Sequence, residues 1–225
     1  MDERMVKVKT KGFRALKGKS DFSHRFGGER WKTPVCPNCK THIHLLLTFD
    51  LLDENLSELS NEKSMELPLI SCLNCSSYWS PQQFKLNVVE HNVSIITMED
   101  EEHWIAEEED IVVYPLPEVA MKLIELQKKD NPDPNDDHAM DLAFNAFGSE
   151  YICRVLDNPL IPLESTETNC PSCASEMRYV ATICSEDYGS EGLIYEELVF
   201  RLGEAYLNFY FCKECLIVRT SMQST

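Results

Sequence analysis

The chain has 225 residues, 43% of them apolar, with only 8 glycines and 11 prolines. That composition excludes a disordered or fibrous chain and leaves room for one large domain or two small ones. The formal net charge is −17 and unevenly spread: residues 1–32 hold ten Lys/Arg against four Asp/Glu, and the rest holds 11 bases against 34 acids. Such a body repels a phosphate backbone, which argues against nucleic acid, and steers basic proteins towards itself.

The basic start, MDERMVKVKTKGFRALKGKS, has no apolar stretch of signal-peptide length, and no run in the chain approaches the ~18–20 apolar residues that span a bilayer. A cytoplasmic protein, with no membrane partner, is expected. Val6 and Val8 alternate with Lys7, Lys9 and Lys11, the pattern of an edge strand guarded by a basic face. Gly27–Gly28 before Trp31 reads as a tight turn. The pair Cys36-Pro-Asn-Cys39 follows, then HIHLLLTF, which reads as a strand with His42 and His44 on one face. With Asp50 or Asp53 these histidines could form a metal site, although strand-face histidines are the plainer interpretation. A second apolar strand, ELPLIS, runs into Cys72-Leu-Asn-Cys75.

Residues 86–97 read as one or two strands. The stretch EDEEHWIAEEED at 99–110 places Glu99, Asp100, Glu101, Glu102, Glu107, Glu108, Glu109 and Asp110 around Trp104 and Ile105. A solvated loop is the plain account of it. The functional account is a docking surface, with apolar anchors inside an acidic rim. Pro117 suits the first turn of a helix running to about Lys129, whose buried stripe would be Val119, Ala120, Leu123, Ile124 and Leu126. After the breaker DNPDPNDD, a second helix is expected over about 137–147, stopping at Gly148. Cys153 and Cys184 stand alone and read as buried small hydrophobes. Cys170-Pro-Ser-Cys173 leads into the strand MRYVATI. After Gly203, the alternating AYLNFYF runs into Cys212-Lys-Glu-Cys215.

Eight of the ten cysteines thus fall into four CxxC pairs, where random placement gives about 0.4. Two thiolates three residues apart on a tight turn can face one metal, and a second such turn completes a tetrahedron with M–S of about 2.3 Å. Soft thiolates select zinc or iron–sulfur over hard cations. Disulfides lack the export signal they need. A thioredoxin-like pair needs a helix after the CxxC, whereas strands follow here. Iron–sulfur ligands are usually closer in sequence. Two structural Zn2+ ions are therefore expected on Cys36, Cys39, Cys72, Cys75, Cys170, Cys173, Cys212 and Cys215. Pairing within each half is favoured, with cross-pairing open. Four thiolates close a site to water, so these sites should be non-catalytic.

The halves look duplicated. Cys36, Ile43, Leu46 and Thr48 match Cys170, Met177, Val180 and Thr182 at one offset of 134 residues, although the second half lacks the Gly-Gly pair. The expected architecture is α+β: two duplicated zinc-ribbon-like β units, 1–85 and 151–225, with a helical and acidic insertion over 86–150. With HRFGGERW, PVCPNC, LLLTFDL, CPSC, YVATICSED and the closing CKEC in view, the chain resembles the YwqG-like family of bacterial proteins. It also resembles the related zinc-containing programmed-cell-death-protein-two family of ribosome-assembly chaperones. The first resemblance implies no established activity, though members occur near toxin genes; the second implies escort of a basic ribosomal protein. The expectation is a non-enzymatic protein-binding module, an immunity protein or chaperone, that captures a basic partner such as a toxin or ribosomal protein. The alternatives are a zinc-ribbon nucleic-acid-binding regulator using the basic arm, and an enzyme using His42 and His44; no HExxH, P-loop, GxGxxG or GxSxG is present.

Overall fold

A computed structural model describes residues 11–99, 101–160, 168–187, 192–195, 200–202 and 205–224. The edge strand expected around residues 6–11, of which only Lys11 is described and lies in no strand, the acid Asp100 and the turn at Gly203 fall outside the described residues. Among those described, the chain is mostly antiparallel sheet with a single α-helix. The first half supplies β1 (Phe13–Lys17), β2 (Arg25–Phe26), β3 (His44–Asp50), β4 (Glu66–Ser71), β5 (Gln82–Asn87) and β6 (Asn92–Met98). Then come β7 (Val119–Glu125), α1 (Asp137–Ser149), β8 (Cys153–Val155), β9 (Arg178–Ile183), β10 (Ala205–Cys212) and β11 (Ile217–Ser224). All eleven strands join one sheet in the order β4-β3-β2-β7-β1-β8-β9-β10-β11-β5-β6. The sheet curls far enough for the Thr220 hydroxyl of β11 to donate to the Ile70 carbonyl of β4 at 2.6 Å.

The repeated sequence pattern becomes repeated hydrogen bonding. Ile43 N donates to Pro34 O at 2.9 Å, and Met177 N donates to Thr168 O at 2.8 Å. Isolated bridges join Val35 to His42 and Asn169 to Glu176. Each of these pairs is related by the same offset of 134 residues. The strands that follow, β3 and β9, lie between β2 and β4 and between β8 and β10 respectively. Gly27 N donates to Leu46 O at 3.0 Å, and Leu156 N donates to Val180 O at 2.8 Å. The second half thus builds the Gly-Gly turn without glycine: Leu156 and Asp157 hold φ of 58° and 59° where Gly27 and Gly28 hold 65° and 83°.

The first strand of each half crosses to the other half. Strand β1 pairs with β7 and with β8, and β7 pairs with β2. Strand β5 pairs with β11. At the crossing, Arg14 and Arg154 are register partners and both are buried, as is Asp130. Arg154 donates to the Asp130 carbonyl at 2.6 Å and to Asn158 O at 2.7 Å. Arg14 Nε lies 3.6 Å from the Asp130 carboxylate. Buried cations survive only when such partners surround them.

One expected helix is a strand. The segment placed in a helix from Pro117 to Lys129 forms β7, with a short 3-10 turn at Lys128–Asp130. Its apolar residues satisfy a helical stripe, but Val119, Met121 and Leu123 also alternate, and both of its edges are needed. Strands β1 and β2 would otherwise leave their backbone groups unpaired. The second helix is as expected: Asp136 caps it by accepting from Ala139 N, and Gly148 ends it at φ 119°. A Cβ there would lie 2.6 Å from Asp187 Oδ1. Residues 86–97 belong to the hairpin β5–β6. The local pattern gave no sign of β1, which lies centrally between β7 and β8, or of β11, which closes the last hairpin.

Candidate metal centres

The eight expected cysteines gather in two groups of four, Cys36/Cys39/Cys72/Cys75 and Cys170/Cys173/Cys212/Cys215, each with its sulfurs within 4.8 Å of one another. Pairing is therefore within each half. Neighbouring sulfurs are separated by 3.6 Å (Cys36–Cys75), 3.6 Å (Cys39–Cys72), 3.4 Å (Cys72–Cys75) and 3.7 Å (Cys173–Cys212). A tetrahedron with M–S of 2.3 Å has edges of about 3.8 Å, and a disulfide needs about 2.05 Å. The spacing fits four thiolates around one cation.

The first knuckle of each group is one turn built twice. Cys36 N donates to Thr41 O at 2.8 Å and Lys40 N to Cys36 O at 3.1 Å; Cys170 N donates to Ser175 O at 2.8 Å and Ala174 N to Cys170 O at 2.9 Å. Lys40 and Ala174 sit at φ 63° and 58°, which aims both sulfurs to one side. Thr41 places its hydroxyl 3.0 Å from Cys39 Sγ. Ser175, the residue equivalent to Thr41, bonds Cys173 first through its backbone and then through its hydroxyl, holding that thiol down at about 6. The second knuckles differ. Cys75 opens a 3-10 turn over Ser76–Tyr78, whereas Cys212 pairs with Ile217, so CKEC is itself the turn of the hairpin β10–β11.

Surroundings separate the two centres. Cys36, Cys72 and Cys75 are fully buried, while Cys173 is exposed and Cys215 half-buried. Hydrogen bonding with Cys36 comes first in pushing Cys72 far above the ordinary thiol range and Cys75 well below it; burial adds to the rise at Cys72. Four such sulfurs ionise together only around a cation.

The acidic stretch is fastened to the first centre. Ser76 N donates to Trp104 O at 2.9 Å and Ala106 N to Asn74 O at 3.0 Å; Trp104 N donates to Ser76 Oγ at 2.8 Å. Asn74, inside the CLNC knuckle, accepts from Val112 N at 2.8 Å and donates to Val112 O at 3.1 Å. These bonds hold both ends of the 104–112 segment, with Glu99, Glu101, Glu102, Glu107, Glu108, Glu109 and Asp110 all exposed. None of these seven carboxylates is in an ion pair or side-chain hydrogen bond among the described residues.

His42 and His44 do share a face, and both rings meet Tyr114, but they join no metal-ligand group among the described residues. His42 is exposed, and its Nδ1 lies 3.2 Å from Thr33 O. His44 is buried; its Nε2 donates to Val112 O at 3.2 Å, its Nδ1 has no partner, and burial pushes its pKa down to about 4. Asp50 accepts from Ser23 N and Leu52 N, so it serves a turn. Asp53 binds His24, whose Nε2 lies 2.9 Å from Asp53 Oδ2 and whose Nδ1 accepts from Asp50 N at 3.1 Å. Both nitrogens of His24 are thereby engaged. Gly27 N and Gly28 N are likewise occupied, by Leu46 O and Leu116 O, so the Gly-Gly pair is a turn and cradles no phosphate. Cys153 and Cys184 are buried, and burial pushes both thiols up.

Sequence reasoning missed three contributors: Asn74, the His24–Asp53 pair, and Trp79, which stacks on Trp104 with ring centroids 5.6 Å apart at 13°. Only Asn74 carried a signal, since an amide inside a knuckle is well placed to clamp a passing backbone. Comparison with family models, curated proteins and solved structures returned no match.

Proposed function

We propose that this protein is a non-enzymatic binding module, held together by two structural Zn2+ ions in zinc-ribbon-like sites, that captures a basic partner protein through its acidic face. All-thiolate, four-coordinate sites favour zinc and leave no open position for chemistry. The observation that carries the binding reading is a set of seven exposed carboxylates unpaired among the described residues, four of them (Glu107, Glu108, Glu109 and Asp110) on the 104–112 segment fastened to the knuckle and three (Glu99, Glu101 and Glu102) just before it. Elsewhere the chain spends its well-placed acids on structure. Glu66 meets Arg30 at 2.8 Å, Asp53 meets His24, and Glu186 accepts from Ile194 N and Phe200 N. Unpaired like charges on an ordered segment repel one another, and a cationic partner relieves that repulsion. An immunity protein that blocks a basic toxin is the leading form, in keeping with the resemblance to the YwqG-like family; a chaperone for a ribosomal protein is the second. Occlusion requires no catalysis, and free thiolate sites suit a reducing cytoplasm.

The test is affinity purification from the native host with two baits: the wild-type chain, and a variant with Glu101, Glu102, Glu107, Glu108 and Glu109 changed to Gln. The expected result is a basic protein retained by the wild type, released by salt and absent from the variant. Equal retention by both baits would refute the acidic-face reading. Elemental analysis should find two zinc ions per chain.

A further inference from the structure

Among the described residues, six of the eleven large apolar side chains left exposed gather in one place, while Leu52, Met65, Val89, Ile96 and Leu142 lie elsewhere. Val35, Trp79, Trp104, Ile105, Ile111 and Val113 all belong to the first metal centre's knuckles or to the segment fastened on them. Val35 precedes Cys36, and Trp79 closes the turn opened by Cys75. Ile105 bridges to Cys75. Ile111 and Val113 flank Val112, which Asn74 clamps. Single exposed hydrophobes are ordinary, but a concentration of them marks a contact surface. Trp79 and Trp104 remain 41% and 39% exposed although they stack on each other.

We infer that the Trp79–Trp104 stack is the recognition platform for an arginine-bearing segment of the basic partner; this rests on the acidic-face reading and specifies its chemistry. An indole face attracts a cation through the ring quadrupole, and the planar guanidinium stacks on it better than an ammonium does. The exposed carboxylates that precede and follow Trp104 along the chain supply the counter-charge. The main-chain bonds from Ser76 and Asn74 fix residues 104–106 before any partner arrives, so little ordering entropy is lost on binding. Aromatic anchors inside a charged rim are the usual composition of a binding hot spot. A nucleic-acid strand could also stack on indoles, but seven neighbouring carboxylates oppose its phosphates.

The experiment titrates the zinc-loaded full chain with fluorescent hepta-arginine, hepta-lysine and a thymidine oligonucleotide, reading anisotropy at low and moderate salt. The wild type should bind hepta-arginine best. Trp79→Ala should lose about fivefold in affinity for it and most of the preference over hepta-lysine, with zinc content unchanged. Trp79→Phe, which keeps a ring, should fall between them and guards against a general folding defect. Replacing Glu101, Glu102 and Glu107 by Gln should weaken both peptides alike and flatten the salt dependence. Unchanged arginine preference in Trp79→Ala, alongside lost binding in the Gln variant, overturns the platform while leaving the acidic face intact. No peptide binding by the wild type at low salt overturns both. Tighter binding of the oligonucleotide, lost in Trp79→Ala, overturns the cationic partner.

Discussion

The two metal centres begin from one turn and end in different surroundings. In the first, three of four sulfurs are buried, and the second knuckle carries a passenger, the 104–112 segment. In the second, Cys173 is exposed, and the knuckle is the bare turn of a hairpin. Loops of the first half do reach it, through Asn61 donating to Lys213 O at 2.8 Å and Lys63 to Glu214 O at 3.1 Å, but they touch only its rim. The repeated pattern gives two equivalent cysteine sets. What packs over each set decides whether a cation held there would sit inside the core or at its edge.

The largest expected effect separates them. Cys36→Ser removes a ligand from a centre embedded in the main core, where the remaining buried thiols have no solvent to turn to. Structural zinc contributes an apparent ~10–16 kcal/mol in small peptides, against a typical net stability of ~5–15 kcal/mol. Cys36→Ser should therefore abolish cooperative unfolding in urea. Cys173→Ser, at an exposed position where water can fill the gap, should keep it at reduced midpoint. A chelator should withdraw zinc in two phases, the faster assigned to the second centre by its loss in Cys173→Ser. A single phase, or the reverse order of severity, would break the distinction.

His44 sharpens it next, since it sits behind the first centre's passenger and has no counterpart in the second, where Arg178 stands. The neutral ring donates from Nε2 to Val112 O, which leaves Nδ1 unpartnered in the core. Burial disfavours the charged ring more than the nearby backbone carbonyls favour it, and holds the pKa at about 4. The unfolded ring has a pKa of about 6.5. Between these values the unfolded chain takes up a proton that the folded chain refuses, so stability is present above the unfolded pKa and falls as the pH drops through it. From pH 7.5 to 5 the loss is about 2 kcal/mol. Thiolate protonation acts in the same direction, so the measurement is a comparison of urea midpoints against pH for the wild type and His44→Leu. The variant's profile should be flatter by that amount, and parallel profiles would refute the assignment.

The four CxxC pairs and α1 were legible in the sequence because each is fixed by local chemistry, a turn that aims two sulfurs and a terminating glycine, whereas the pairing within halves was favoured but decided only by the fold. The offset of 134 residues carried through to individual hydrogen bonds. What stayed hidden was set by partners distant in sequence. Residues 119–125 form β7 because β1 and β2 need it, and no local window contains that demand. Trp79 meets Trp104 only because 104–106 docks on the knuckle at 74–76. Arg14, Asp130 and Arg154 carry no local mark of burial; the crossing of first strands buries them.

The smallest effect concerns the turn that each half solves differently. At Gly27 a Cβ would stand 2.3 Å from Pro117 O, a backbone atom that cannot move aside without shifting the lead into β7. Gly27→Ala should therefore cost well over 1 kcal/mol, from the clash and from the positive φ together. The second half holds the same backbone shape with Leu156 and Asp157. Leu156 recovers the strain by burying its side chain in the core. Asp157 is of a type that tolerates the left-handed region and lies 3.7 Å from Arg154. Asp157→Gly relieves the strain but takes a carboxylate from the buried Arg154, which keeps its bonds to Asp130 O and Asn158 O, so the net loss should be smaller than that of Gly27→Ala. Urea midpoints of the two variants test the contrast. If Asp157→Gly destabilised as much as Gly27→Ala, the carboxylate's grip on Arg154 at the crossing, rather than the shape of the turn, would be what the second half cannot lose.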